Sequence, residues 1–152
     1  LTFNEQSMEL SNIERLYFSD RAIAFDLDDH AGQTVKLLGL LLGKAEATNT
    51  TYVGAGLKLL DDGMTYEQLM SAALDVVIGA NASSLSVVEL IWNNLIGPPT
   101  LADNISQYSA LIDNGTYTSA GLAIVAADHS LNTTAIDLVG IAQTGVEFIP
   151  YG

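Results

Sequence analysis

The chain has 152 residues, enough for one compact domain with a real core, and it carries five Lys+Arg against 18 Asp+Glu, a formal net charge of −13. All five cations (Arg15, Arg21, Lys36, Lys44 and Lys58) lie in the first 58 residues, and from Leu59 onward there are ten acids and no Lys or Arg. Binding to nucleic acid or to an anionic membrane surface needs a basic footprint to neutralise phosphates, so both are excluded.

Charged residues make up 15% of the chain and hydrophobic ones 49%, where ordinary soluble domains have about 25% charged residues. So few ionic side chains predict that part of the apolar surface is hidden by neighbouring domains or by copies of the chain. The remaining carboxylates repel one another unless cations screen or bridge them, which fits assembly in a salty, calcium-containing medium. Cysteine is absent, which removes disulfide and thiolate chemistry. The longest apolar run, Leu37–Gly43, sits between Lys36 and Lys44 and is too short to span a bilayer, so the chain reads as soluble. It opens at Leu1 with no visible signal-peptide pattern, read as processing or excision from a longer protein.

Asn12–Phe18 and Ala22–Leu27 are short, partly alternating runs around Ser19-Asp20-Arg21, which predicts a β-hairpin or two short strands. After Asp28 the period becomes helical: Val35, Leu37, Leu38, Leu41 and Leu42 form an apolar face stopped by Gly43. A second helix is expected over Thr51–Leu60, stopping at Asp61-Asp62-Gly63. Thr65-Tyr-Glu-Gln68 is a capping box opening a third helix through Ile78. Ser86-Val-Val-Glu89 is read as another capping box, opening a helix to Ile96 that stops at Gly97-Pro98-Pro99. Thr100 caps a helix ending at Asp113-Asn114-Gly115, and Thr118 or Ser119 starts one through Asp128. A closing helix over Leu131–Gln143 precedes an extended tail, Val146–Pro150.

The turns recur. Leu59-Leu60-Asp61-Asp62-Gly63 matches Leu111-Ile112-Asp113-Asn114-Gly115 at a separation of 52, and Leu42-Gly43 matches Ile96-Gly97 at 54. Ser71-Ala72-Ala73 is aligned with Val125-Ala126-Ala127, also 54 apart. The expected fold is mainly α, about seven helices from a duplicated three-helix unit with a short N-terminal β-hairpin, in a single domain. Residues 1–28 form the hairpin segment, 30–80 the first unit, 84–130 the second, and 131–152 the closing helix and tail.

The phrase Asn12-Ile-Glu-Arg-Leu-Tyr-Phe-Ser-Asp20, followed by Ala22-Ile-Ala-Phe-Asp-Leu-Asp28 and Ala31-Gly32-Gln33, resembles the opening segment of the helical domain of unknown function 4214. The double unit downstream is similar to that family's tandem repeat, so the resemblance covers about residues 10–150. It implies a module of large secreted bacterial proteins, often beside RTX calcium-binding β-rolls, adhesin modules or S-layer-like regions, with no catalytic activity. The chain departs from the family pattern in having Gly43-Lys44 and Gly97-Pro98 where Gly-Arg and Pro-Asp are usual. It also has Tyr52 and Tyr108 near the usual Trp positions, and Asp29-His30 in place of the usual Gly after the Asp-x-Asp step.

The candidate metal site is the acidic cluster Asp20, Asp26, Asp28 and Asp29, since Ca²⁺ takes six to eight oxygens from carboxylates and turn carbonyls. It is not an EF-hand, lacking the glycine at loop position six and the closing Glu at twelve. The competing assignment makes Asp20 a turn residue and Asp28 or Asp29 a helix cap. Asp61-Asp62 and Asp113-Asn114 are either ion ligands or solvated turns; at helix C-termini such acids need a cation nearby. His30 and His129 are read as surface or cap residues, and no nucleophile elbow or phosphate loop is present. Gly54-Ala-Gly56 is read as permitting close helix packing and Trp92 as core. Five sequons (Asn49, Asn81, Asn104, Asn114 and Asn132) are read as a by-product of Asn, Ser and Thr crowding at helix starts.

Three functions are weighed. The first is a non-enzymatic extracellular structural or adhesion module of a bacterial surface or matrix protein. It would self-assemble with copies or neighbouring domains, in an S-layer-like sheet or a filament, and be assisted by Ca²⁺. The second is a glycan-binding module, in which Tyr52, Tyr66, Tyr108, Tyr117 or Trp92 stack on sugars; it needs several of these rings exposed on one face. The third, an enzyme, has no constellation of residues behind it.

Overall fold

In Ala22-Ile-Ala24 the two small residues point inward and let a strand lie flush on the helices behind it. A computed structural model describes residues 13–98 and 102–150. Strand β1 (Arg15–Tyr17) and β2 (Ala22–Ala24) form the expected hairpin, with Arg15 opposite Ala24 and Tyr17 opposite Ala22. The tail is not merely extended. Val146–Phe148 is a third strand, β3, antiparallel to β2, with Ala22 opposite Phe148 and Ala24 opposite Val146. Directly opposed residues share a face, so Ala22, Ala24, Val146 and Phe148 form one buried patch. Ile149 N–H then donates to Thr50 O, tying the tail to a helix start.

Eight helices follow the hairpin among the described residues: α1 His30–Leu42, α2 Thr50–Asp61, α3 Tyr66–Ile78, α4 Ser84–Leu95, α5 Ala102–Asp113, α6 Ser119–Ala127, α7 Ser130–Ala135 and α8 Leu138–Thr144. Most boundaries follow from local chemistry. Asn49 caps α2, its side chain accepting from Thr51 and Tyr52 N–H, and Thr65 with Gln68 closes the expected capping box on α3. Thr118 caps α6 through Gly121 N–H. Thr100 lies outside the described residues.

Three expectations are corrected. Ser86 does not begin α4: Ser83 is the cap and Ser86 N–H is its donor, so the helix starts one turn earlier. Asp28 does not cap α1, and Asp29, at the N-cap position, makes no side-chain cap bond; Asp26 Oδ2 accepts from Ala31 N–H instead. The closing helix is two helices, α7 and α8, because Asp137 adopts a left-handed conformation and caps α8 by accepting from Gly140 N–H.

The duplication is visible in the bonding. Asp62 N–H donates to Lys58 O and Gly63 N–H to Leu60 O; at the counterpart turn Asn114 N–H donates to Ala110 O and Gly115 N–H to Ile112 O. Both glycines hold positive φ, 102° and 77°, the backbone that such a helix stop requires. The caps Thr65 and Thr118 lie 53 apart, so the third helices align at 53 and not 54, pairing Ala72-Ala73 with Val125-Ala126. The units meet through matching elements, α1 on α4 and α3 on α6. At the first junction Asn94 Nδ2 donates to Leu40 O and Leu41 O, and Leu40 is the position in unit 1 that corresponds to Asn94. Self-matching contacts of this kind are what a two-fold relation produces. One apolar core, with Val35, Leu40, Leu57, Met70, Val87 and Ala123 fully or almost fully buried, runs through both units and the sheet.

Candidate functional site

The acidic candidates are built into the fold one by one. Asp20 is exposed at the hairpin tip, with all of β2 between it and Asp26. Asp26 is held by the Arg15 guanidinium from the neighbouring strand and by Ala31 N–H at the start of α1. Asp28 and Asp29 are exposed in the turn that follows. The expected convergence of the four on one ion is therefore not formed, and among the described residues no group of three or more His, Asp or Glu side chains is placed to hold a metal. Arg15, paired with Asp26, reaches on to Asp61 Oδ1 at 3.4 Å. His30 Nδ1 meets the same carboxylate oxygen at 2.6 Å, and Lys58 pairs with Asp62. The acids at the C-terminus of α2 thus have the cationic neighbours that the helix dipole calls for. Asp113, their counterpart, accepts from Ser84 Oγ at 2.5 Å. His129 caps α7, its Nδ1 accepting from Leu131 N–H.

Four of the five sequon asparagines have structural work to do. Asn49 is a cap, Asn114 Oδ1 accepts from Thr116 N–H and Oγ1, and Asn81 holds a positive φ of 68°. Asn132 is buried, its amide donating to Lys36 O at 2.9 Å and Ala127 O at 2.8 Å.

What remains without a partner is apolar. Unit 1 holds a groove between α1, α2 and α3 with a cavity of about 340 Å³, and unit 2 holds one between α4, α5 and α6 of about 230 Å³. The two are equivalent. Thr34, Leu37, Leu38, Leu41 and Leu42 of α1 correspond to Val88, Ile91, Trp92, Leu95 and Ile96 of α4, all of which line their grooves. On the second helices Gly56 corresponds to Tyr108. On the third helices Leu69, Ala72, Ala73 and Val76 correspond to Leu122, Val125, Ala126 and His129. Every residue lining the second groove except Leu131 has a counterpart lining the first.

The differences lie in two replacements. At Gly56 a Cβ would stand 2.6 Å from Thr34 Cγ2, so α1 and α2 approach closely, as the Gly-Ala-Gly segment implied. Tyr108 carries a ring at that position and packs on Trp92 (at the Leu38 position), with ring centres 6.0 Å apart and planes tilted by 44°. The second groove is therefore smaller and aromatic. Trp92 is half-buried, a groove wall resting on the satellite core of Val88, Ile105 and Leu122, not a central core residue.

Fourteen large hydrophobic side chains are exposed among the described residues, and eight of them line the two grooves: Leu42, Tyr52, Leu59 and Val76 in the first, Ile96, Tyr108, Val125 and Leu131 in the second. The candidate sugar-stacking rings do not gather on one face. Tyr52 belongs to the first groove, Tyr108 and Trp92 to the second, Tyr117 to the turn after α5, and Tyr66 is packed against the core. Few polar atoms line either groove to receive sugar hydroxyls, which favours apolar side chains as occupants.

The comparisons leave the site to be judged on this geometry: no family model, curated protein or solved structure matches the chain. Among the described residues no helix is long and apolar enough to cross a membrane.

Proposed function

We propose that the chain is a non-enzymatic structural or adhesion module of an extracellular bacterial surface or matrix protein. It works by seating apolar side chains of further copies, or of neighbouring domains, in its two equivalent grooves. The observation that carries this reading is the concentration of exposed apolar side chains in those grooves, eight of fourteen, rather than their scatter over the surface. Contiguous apolar clefts lined by side chains on rigid helices are receptor surfaces for a helix face or an aromatic knob. The resemblance of the hairpin segment to the domain of unknown function 4214 supports the bacterial surface setting. Calcium assists by screening or bridging carboxylates so that carboxylate-rich copies can approach each other.

Size-exclusion chromatography with light scattering, over a concentration series with calcium and then with chelator, tests the reading, with electron microscopy of the same samples. Oligomers that grow with concentration and shrink on chelation are expected. A monomer at every concentration, indifferent to chelator, would sink it.

A further inference from the structure

The grooves are receptors, and the same molecule carries a knob. Phe18 stands at the tip of the hairpin, 52% exposed, with the turn closed by its N–H donating to Arg21 O at 2.8 Å, while Tyr17, on the other face, sets its ring edge-on to Phe148 with centres 6.0 Å apart. The Arg21 guanidinium lies 5.7 Å from the centre of the Phe18 ring, so the tip presents an aromatic face with a cation beside it. Arg21 is also 3.7 Å from Glu147, both side chains half exposed, a surface pair of little worth that leaves the cation available.

The second groove complements the charge of the tip. From Leu59 onward the sequence has no Lys or Arg, so unit 2 has acids and no cation of its own. Glu89 is exposed on α4, three residues before Trp92 and seven before Ile96, which places it at the rim of the second groove. The counterpart of Glu89 in unit 1 is Val35, fully buried, so α1 carries no equivalent carboxylate. A cationic tip therefore finds a carboxylate at the second groove, in a unit with no cation of its own to compete. Size agrees: about 230 Å³ is below the roughly 300–1,000 Å³ of pockets that enclose a whole small molecule, and suits one or two side chains. Its walls include the Trp92–Tyr108 pair, against which a further aromatic ring packs edge to face.

We propose that the hairpin tip of one copy, Phe18 with Arg21, seats in the second groove of the next copy, with Arg21 meeting Glu89. This rests on the self-assembly reading and gives it a direction. Tip and groove are different surfaces, so the contact is head-to-tail; each copy offers one of each, and the contact propagates into a filament or ring.

The absence of cysteine makes the test clean. Chains carrying Ser19→Cys are mixed with chains carrying Asn93→Cys, an exposed position one turn along α4 from Glu89 that leaves the Arg21–Glu89 pair intact, under mild oxidation, and the mixed disulfide dimer is quantified against each chain alone. In parallel, light scattering compares the wild type with Phe18→Ser, Arg21→Glu, Glu89→Arg and the double exchange Arg21→Glu/Glu89→Arg, each with a matching melting curve. The mixed dimer is expected to predominate. Each single change should weaken association about tenfold or more, and the double exchange should recover most of the loss. Assembly that persists without the mixed dimer, or that ignores Phe18→Ser, overturns this contact while leaving self-assembly standing. A wild-type chain that stays monomeric overturns both.

Discussion

The carboxylate of Asp26 does two jobs at once: it neutralises Arg15 across the hairpin and it receives the first free amide of α1. Both side chains are largely shielded, Arg15 at 14% and Asp26 at 9% exposure, so removing one partner strands a charge in a poor solvent. Arg15→Met should cost about 3 kcal/mol, at the low end for breaking a buried pair, measured by urea denaturation. Gly32 follows the same junction, and a Cβ there would collide with the Leu27 carbonyl. Gly32→Ala should destabilise by about 1–3 kcal/mol in the same assay. The Arg, Asp and Gly of the hairpin phrase are thus explained by one joint between strand and helix.

Tyr66 is the opposite case, a buried hydroxyl with no partner. Burial first, and the Asp128 charge second, push its proton loss well above the ordinary tyrosine range. The unfolded chain gives up that proton near pH 10 while the folded chain keeps it, so stability is intact below pH 10 and falls as pH rises beyond it. Tyr66→Phe should be close to neutral at pH 7 and should reduce the alkaline loss, read from melting temperatures between pH 8 and 11.

At the scale of elements, α7 is anchored by a single amide. Asn132 bonds Lys36 O and Ala127 O, and Gly39 leaves the room that Ile136 fills. Asn132→Ala leaves two buried carbonyls short of a donor and should cost about 1–3 kcal/mol, with faster amide exchange confined first to α7 and α8. Helix positions were legible because caps and stops are local: Thr65, Thr118, Gly43, Gly63, Gly97 and Gly115 each announce a boundary within four residues. Two misplacements had local causes as well. Ser83 and Ser86 are both competent caps, and the apolar Leu85 between them belongs inside the helix. Asp137 interrupts an apolar stretch that otherwise has helical spacing. Strand β3 was not legible as a partner of β2 because that pairing joins residues more than 120 positions apart, with no turn chemistry to signal it.

The whole molecule is one body despite its repeated plan. The core joins Leu40, Leu57 and Met70 of the first unit to Val87 and Ala123 of the second, so neither unit closes its own apolar face. A fragment of residues 13–80 should show little helical circular dichroism alone, and adding residues 84–150 should restore it. The surplus of apolar over charged residues is matched by fourteen exposed large hydrophobic side chains among the described residues, but composition does not say where they gather. The grooves emerge only when the offsets of 54, 52 and 53 are laid on helices that pack in three dimensions. Counting composition cannot do that.

The first groove takes no part in the tip contact. A row of copies joined through the second groove would therefore display the first once per copy, at a fixed repeat and with one orientation. A ligand bearing two apolar anchors at that spacing would hold the row far more tightly than any single copy, because its second anchor arrives already concentrated beside its receptor. Such a surface would measure spacing as well as chemistry.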